Sequence, residues 1–112
     1  MTNIEKFERY LNSYSSKDVD SVSAMFSDDI TIRDWKISVK GKVTAISETK
    51  KNFSNADTIK IEILNTYESQ NTVAGELRIT VDGSEVLYVV DVIRFDNQGL
   101  ISSIKAYIGR PD

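Results

Sequence analysis

The sequence predicts an α+β domain, with helices gathered on one face of an antiparallel sheet. Three observations predict it. Apolar residues recur at helical spacing in roughly the first half of the chain and then switch to alternation in the second. Two turn signals, Asp82-Gly83 and Asp96-Asn97-Gln98-Gly99, cut the alternating half into hairpins. The 112 residues, with five glycines and one proline, contain no linker, repeat or low-complexity tract, so residues 1–112 read as one domain.

The elements follow in order. Thr2-Asn3-Ile4-Glu5 reads as a capping box, Thr2 being the N-cap and Glu5 reaching back to it. Ile4, Phe7, Tyr10, Leu11 and Tyr14 then form one apolar helical stripe. Ser15-Ser16-Lys17-Asp18 breaks it and caps a second helix with Val19, Val22, Met25 and Phe26 as its stripe, the two packing as a helical hairpin. Ser27-Asp28-Asp29 reads as a turn. The alternation from Ile30 to Trp35 puts Ile30, Ile32 and Asp34 on one strand face and Thr31, Arg33 and Trp35 on the other. Lys36–Lys40 returns as a short strand. A third helix is expected from Val43 to Phe53 on a weak stripe of Val43, Ile46, Lys50 and Phe53. Strands then carry Ile59, Ile61 and Ile63; Val73, Gly75, Leu77, Ile79 and Val81; Glu85 to Phe95; and Leu100 to Ile108, after which Gly109–Asp112 frays.

Composition excludes several kinds of chemistry. With no cysteine and no histidine, the chain has no disulfide, no thiolate nucleophile, no His-based triad and none of the usual zinc sites, so no metal or cofactor is expected. Any catalysis must use carboxylates, tyrosines, lysines, arginines or hydroxyls. Fourteen basic against 17 acidic residues give −3, which disfavours a nucleic-acid partner. The longest apolar run, Val86–Val90, is five residues against the roughly 20 that a bilayer requires, so no membrane partner is expected. No signal-like apolar core follows Met1, and a cytoplasmic location is the expectation.

One strand carries an anomaly. Val86 to Ile93 would be eight consecutive apolar residues but for Asp91. Leu87, Val89, Ile93 and Phe95 share its face, and Val86, Tyr88, Val90 and Val92 line the other. A strand apolar on both faces needs cover on both, helices on one and a second copy of the chain on the other: a homodimer through the outer sheet face. On its apolar face Asp91 either pairs with a cation, Arg94 or Lys105 being candidates, or its pKa rises and it stays a neutral acid. Asp34 repeats the pattern at the end of the Ile30–Ile32 face. Tyr10 and Tyr14 lie one turn apart on the core-facing helical stripe.

These residues resemble a known group. Arg9-Tyr10-Leu11, Lys17-Asp18-Val19-Asp20, Met25-Phe26-Ser27-Asp28-Asp29, the run Val89 to Gly99 and Ser103 to Gly109 are similar to the nuclear-transport-factor-2-like superfamily, which includes SnoaL-like proteins and ketosteroid isomerases. The resemblance covers nearly the whole chain. It implies a cystatin-like cone, three N-terminal helices packed on a curved mixed or antiparallel sheet, with an apolar pocket at the open end and commonly a dimer. Within it, the match to ketosteroid isomerases is more specific. Their oxyanion tyrosine follows an Arg as Tyr10 follows Arg9, their general-base Asp matches Asp34, and their protonated Asp matches Asp91. The resemblance thus implies catalytic roles for Tyr10, Asp34 and Asp91, with Tyr14, Trp35, Leu77 and Ile93 contacting the ligand and no cofactor.

The chain departs from that pattern in having Trp35 where a proline is usual, and Val73, Gly75, Leu77 and Ile79 where aromatic wall residues are usual. These departures point to a ligand smaller than, or shaped differently from, a steroid. The implied activity is proton movement α to a carbonyl of a small hydrophobic ketone, through an enolate. A limonene-epoxide-hydrolase-like Asp-Arg-Asp set is disfavoured because Arg33 and Asp34 are adjacent and point to opposite faces. The alternative is a non-catalytic small-molecule-binding or assembly module, because a fold does not establish a function.

Overall fold

The computed structural model describes residues 1–111; the expectation for Asp112 lies outside the described residues. Helix α1 (Asn3–Ser15) begins at the expected capping box: the Glu5 amide donates to the Thr2 hydroxyl (3.1 Å) and the Thr2 amide to the Glu5 carboxylate (2.8 Å). Lys17, in the left-handed region at φ 56°, turns the chain into α2 (Val19–Ala24), whose N-cap Asp18 accepts from the Ser21 amide. Then follow β1 (Phe26–Arg33), β2 (Ser38–Lys40), α3 (Lys42–Asn55), β3 (Ile59–Ser69), β4 (Thr72–Val81), β5 (Glu85–Phe95) and β6 (Ile101–Ile108). They form one six-stranded sheet in the order β2-β1-β6-β5-β4-β3. Every pair is antiparallel except β1 with β6, so the sheet is mixed.

Three local expectations need correction. α2 ends at Ala24 and β1 starts at Phe26, so Phe26 belongs to the sheet and not to the second helical stripe, and Ser27-Asp28-Asp29 is strand and not turn. The Ile101 amide donates to the Met25 carbonyl, which carries the pairing with β6 upstream, and the irregularity is absorbed by a register shift between Phe26 and Thr31. In α3 the buried stripe is Ala45, Thr49 and Phe53; Val43 is 85% exposed and Lys50 is exposed. Asp82 (φ 54°) and Gly83 (φ 74°) both adopt the positive φ expected of the β4–β5 hairpin.

Register shifts in β1, in β3 between Ile63 and Asn65, and at the Arg94/Phe95 end of β5 bend the sheet into a curved surface. Its concave face holds the core. Phe7 and Leu11 of α1, Val22 of α2, and Phe26, Ile30, Val73, Leu77, Ile93, Phe95 and Ile101 of the sheet are buried together. Gly75 is required here, because a methyl group at that position would sit 2.4 Å from a ring carbon of Phe7. On the convex face Tyr67, Val86, Val90 and Tyr107 are exposed. No helix among the described residues is long and apolar enough to cross a membrane.

Candidate functional site

Where α1 ends and α3 passes over the sheet, the concave face opens into a cavity of about 360 Å³. That is near the lower end of the roughly 300–1,000 Å³ range typical of small-molecule sites. Its sheet wall is aliphatic, with Ile59, Ile61, Ile79, Leu87, Val89 and Ile104 facing inward at alternate positions. The opposite wall is the polar edge of α3, Glu48, Asn52 and Asn55, while Trp35, Lys36 and Glu85 stand at the mouth.

Asp91 faces this cavity from the middle of β5. Its direct neighbours across the sheet are Gly75 on β4 and Ala106 on β6, two small residues that leave its carboxyl room. The residue is half-buried, open to the cavity on one side and packed in protein on the others. That burial, with the charge of Asp34 added, pushes its pKa up to about 7. Neither candidate cation reaches it: Arg94 and Lys105 alternate onto the convex face and are exposed. Of the two states open to Asp91, the neutral acid is the one its surroundings favour below about pH 7.

Tyr10 lies on the inner stripe of α1, 5% exposed, its ring 6.4 Å from that of Phe26. Burial raises its pKa well above the ordinary tyrosine value, with Tyr14 and the Asp91 charge adding to the shift. No hydrogen bond to another described residue engages either the Tyr10 hydroxyl or the Asp91 carboxyl, and both open onto the cavity. Tyr14, one turn later, packs edge-on against Phe53 at 4.8 Å, and its hydroxyl accepts a hydrogen bond from Asn52 Nδ2 at 2.9 Å. Burial raises its pKa; the Asn52 bond opposes that rise, and the charges of Asp91 and Asp34 reinforce it.

Asp34 follows the last residue of β1. Its Oδ1 accepts from the amides of Lys36 (2.7 Å) and Ile37 (2.9 Å), and its own amide donates to the Ile37 carbonyl (2.9 Å). This turn fixes the carboxylate at the cavity rim and leaves Oδ2 without a protein partner. Because the strand has ended, alternation no longer governs Trp35, which lines the mouth beside Asp34 at 42% exposure. Arg33 keeps the strand parity and points outward, donating to the Tyr107 hydroxyl at 3.0 Å.

Tyr10, Tyr14, Asp34, Trp35 and Asp91 therefore line one cavity. Leu77 and Ile93, expected to touch the ligand, are not among the residues that line this cavity. They lie on the correct face but nearer its closed end, at 1% and 0% exposure, sealed into the core with Phe7. Sequence reasoning missed Asn52. Its signal was the set Glu48, Asn52 and Asn55 at i, i+4 and i+7, a polar stripe containing two helix-disfavouring asparagines beside a short apolar one. Among the described residues no group of carboxylates gathers that could hold a metal ion.

A SnoaL-like domain profile matches residues 7–104. No curated protein sequence matches the chain. Among solved structures, the epoxide hydrolase/cyclase-like enzyme SalBIII, tied to pyran ring formation in the polyether salinomycin, is 22% identical with a TM-score of 0.84, over 98% of this chain and 92% of that one. An LEH-like epoxide hydrolase of M. tuberculosis is 18% identical with a TM-score of 0.83, over 96% and 82%. A candidate ketosteroid isomerase of Kribbella flavida is 13% identical with a TM-score of 0.81, over 94% and 76%. At these identities the likeness is one of fold.

Proposed function

From the premise that the chain belongs to the SnoaL-like domain family, we propose that it is a cofactor-independent enzyme that moves a proton α to the carbonyl of a small hydrophobic ketone. One observation carries the reading. A carboxyl held in a turn, Asp34, and two side chains free of protein hydrogen bonds, Tyr10 and Asp91, share a cavity with an aliphatic sheet wall, and the pKa of Asp91 is pushed up to about 7.

The free Oδ2 of Asp34 takes a proton from the carbon next to the carbonyl. The C–H electron pair moves into the carbon–carbon bond, and charge develops on the carbonyl oxygen. A carboxylate is a weak base for this step, so the enolate must be stabilised as it forms. Tyr10 and the Asp91 carboxylic acid supply two hydrogen bonds in a site where fixed dipoles outperform water. Asp34 then returns the proton to the far carbon of the conjugated system. A second copy of the chain, covering Val86, Val90 and Tyr107 on the convex face, completes the proposed assembly; sedimentation at micromolar concentration should give a dimer, and a monomer would remove this part.

The test is a β,γ-unsaturated ketone followed by absorbance of its conjugated product. Asp34→Asn should lower turnover by about 10²–10⁴-fold while ligand binding survives. Equal loss of both, or no loss of turnover, would count against the base role.

A second reading keeps the same residues. Asp91, with its pKa pushed up to about 7, and Asp34 are also a carboxyl pair for opening an epoxide or closing a ring, and two of the structural neighbours carry names of that kind. The outward Arg33 does not favour the arginine-bridged version. Turnover of a simple epoxide to its diol, with the enone untouched, would select this reading. Binding of both probes with turnover of neither would select the non-catalytic module.

A further inference from the structure

The proposed proton transfer leaves one part of the cavity without a role. Tyr14 presents a hydroxyl to the same space as Tyr10, and its acceptor side is occupied by Asn52 Nδ2 at 2.9 Å. An amide that donates to a phenol oxygen directs the phenol's own proton away from itself. No other described residue hydrogen-bonds this hydroxyl, which lines the cavity, so its proton is left for a ligand there. The ring cannot swing aside, being packed edge-on against Phe53 and 5.9 Å from Tyr10. The donor is therefore oriented before any ligand arrives.

Its surroundings separate it from the Tyr10–Asp91 end. Asn52 belongs to the α3 wall, where Glu48 and Asn55 also face the cavity, while the sheet opposite is aliphatic. A hydrocarbon ketone would bring one oxygen to Tyr10 and Asp91 and leave the α3 wall and the Tyr14 proton facing carbon. Burying an aimed donor against carbon is unfavourable, and a ligand oxygen placed there removes that cost.

We propose that Tyr14, aimed by Asn52, is a third donor to the ligand, and that the cavity takes a ketone or enol carrying a second oxygen on the edge that faces α3. The inference rests on the reading that the cavity holds an enolisable ketone, and it names that ketone's class. Tyr14 touches the ligand; Asn52 acts through Tyr14 and is a positioning residue.

The experiment measures binding, so its result is separate from turnover. The probes are 1- and 2-naphthol, as one-oxygen mimics of an enol, and the isomeric dihydroxynaphthalenes that add a second oxygen. At least one diol should bind the wild type about three- to tenfold more tightly than its parent naphthol, as one further hydrogen bond allows. In Tyr14→Phe, which keeps the ring against Phe53, that advantage should fall below twofold, the diol losing more affinity than the naphthol. Asn52→Asp, at an exposed position, makes the neighbour an acceptor that draws the tyrosine proton back, and it should erase the diol advantage without removing the tyrosine.

A diol preference that survives both variants, or equal weakening of diol and naphthol in both, overturns the proposal. So does the absence of any diol preference in the wild type. Failure of Asp34→Asn to lose turnover while the Tyr14-dependent diol preference persists would remove the isomerase reading and leave this assignment standing.

Discussion

Leu77 and Ile79 are next neighbours on the concave face of β4, yet Leu77 is sealed at 1% exposure and Ile79 looks into the cavity. The same division runs along β5, where Ile93 is core and Asp91 and Leu87 are cavity wall. Strand parity is identical in the two regions; the cover differs. At the closed end α1 lays Phe7 directly over Gly75, and Leu11 and Phe26 fill the remainder. At the open end α1 presents the hydroxyl-bearing rings of Tyr10 and Tyr14, and α3 offers amides and a carboxylate instead of a second apolar layer. The comparison teaches that a sheet face becomes core or binding site according to what lies above it at each depth.

Truncation should separate the two regions most sharply. Leu77→Ala leaves a cavity in a packed core and should cost roughly 2–5 kcal/mol in urea unfolding. Ile79→Ala enlarges a space that already exists and should cost about 1 kcal/mol or less while altering ligand affinity. Equal losses at the two positions would break the distinction.

Asp91 sharpens it through pH. Its folded-state pKa is raised from 3.8 to about 7, so across that window the folded chain holds a proton that the unfolded chain has released. Stability is therefore present in full below about pH 4 and lost as pH rises toward about 7. The loss is at most about 4 kcal/mol, at roughly 1.4 kcal/mol per pKa unit. Asp91→Asn should flatten this slope, and a wild-type profile already flat between pH 4 and 8 would contradict the burial argument. Turnover that needs the neutral acid should fall above about pH 7.

The resemblance and the residue pattern made much of the site legible. Asp91 broke an otherwise apolar strand, Asp34 closed an apolar face, and Tyr10 and Tyr14 shared one helical stripe; the structure gathers all four around one cavity. Leu77 and Ile93 were misplaced because alternation fixes which face a residue occupies and carries no information on depth along the strand. Asn52 was missed because its partner, Tyr14, lies 38 residues away, and no local pattern joins a helix-interior amide to a distant phenol.

The sequence by itself determined the three helices, the hairpins at Asp82-Gly83 and Asp96–Gly99, the capping box at Thr2 and Glu5, and the sheet face of the alternating residues in the strands it read. These depend on periodicity and on backbone sterics acting over a few residues. The tertiary structure alone decided that β1 lies parallel to β6, that Phe7 closes one end over Gly75, and that Asp91 sits between Gly75 and Ala106 with Arg94 and Lys105 on the opposite face. Those outcomes depend on contacts between residues remote in the chain, which arise only when the helices settle onto the curved sheet.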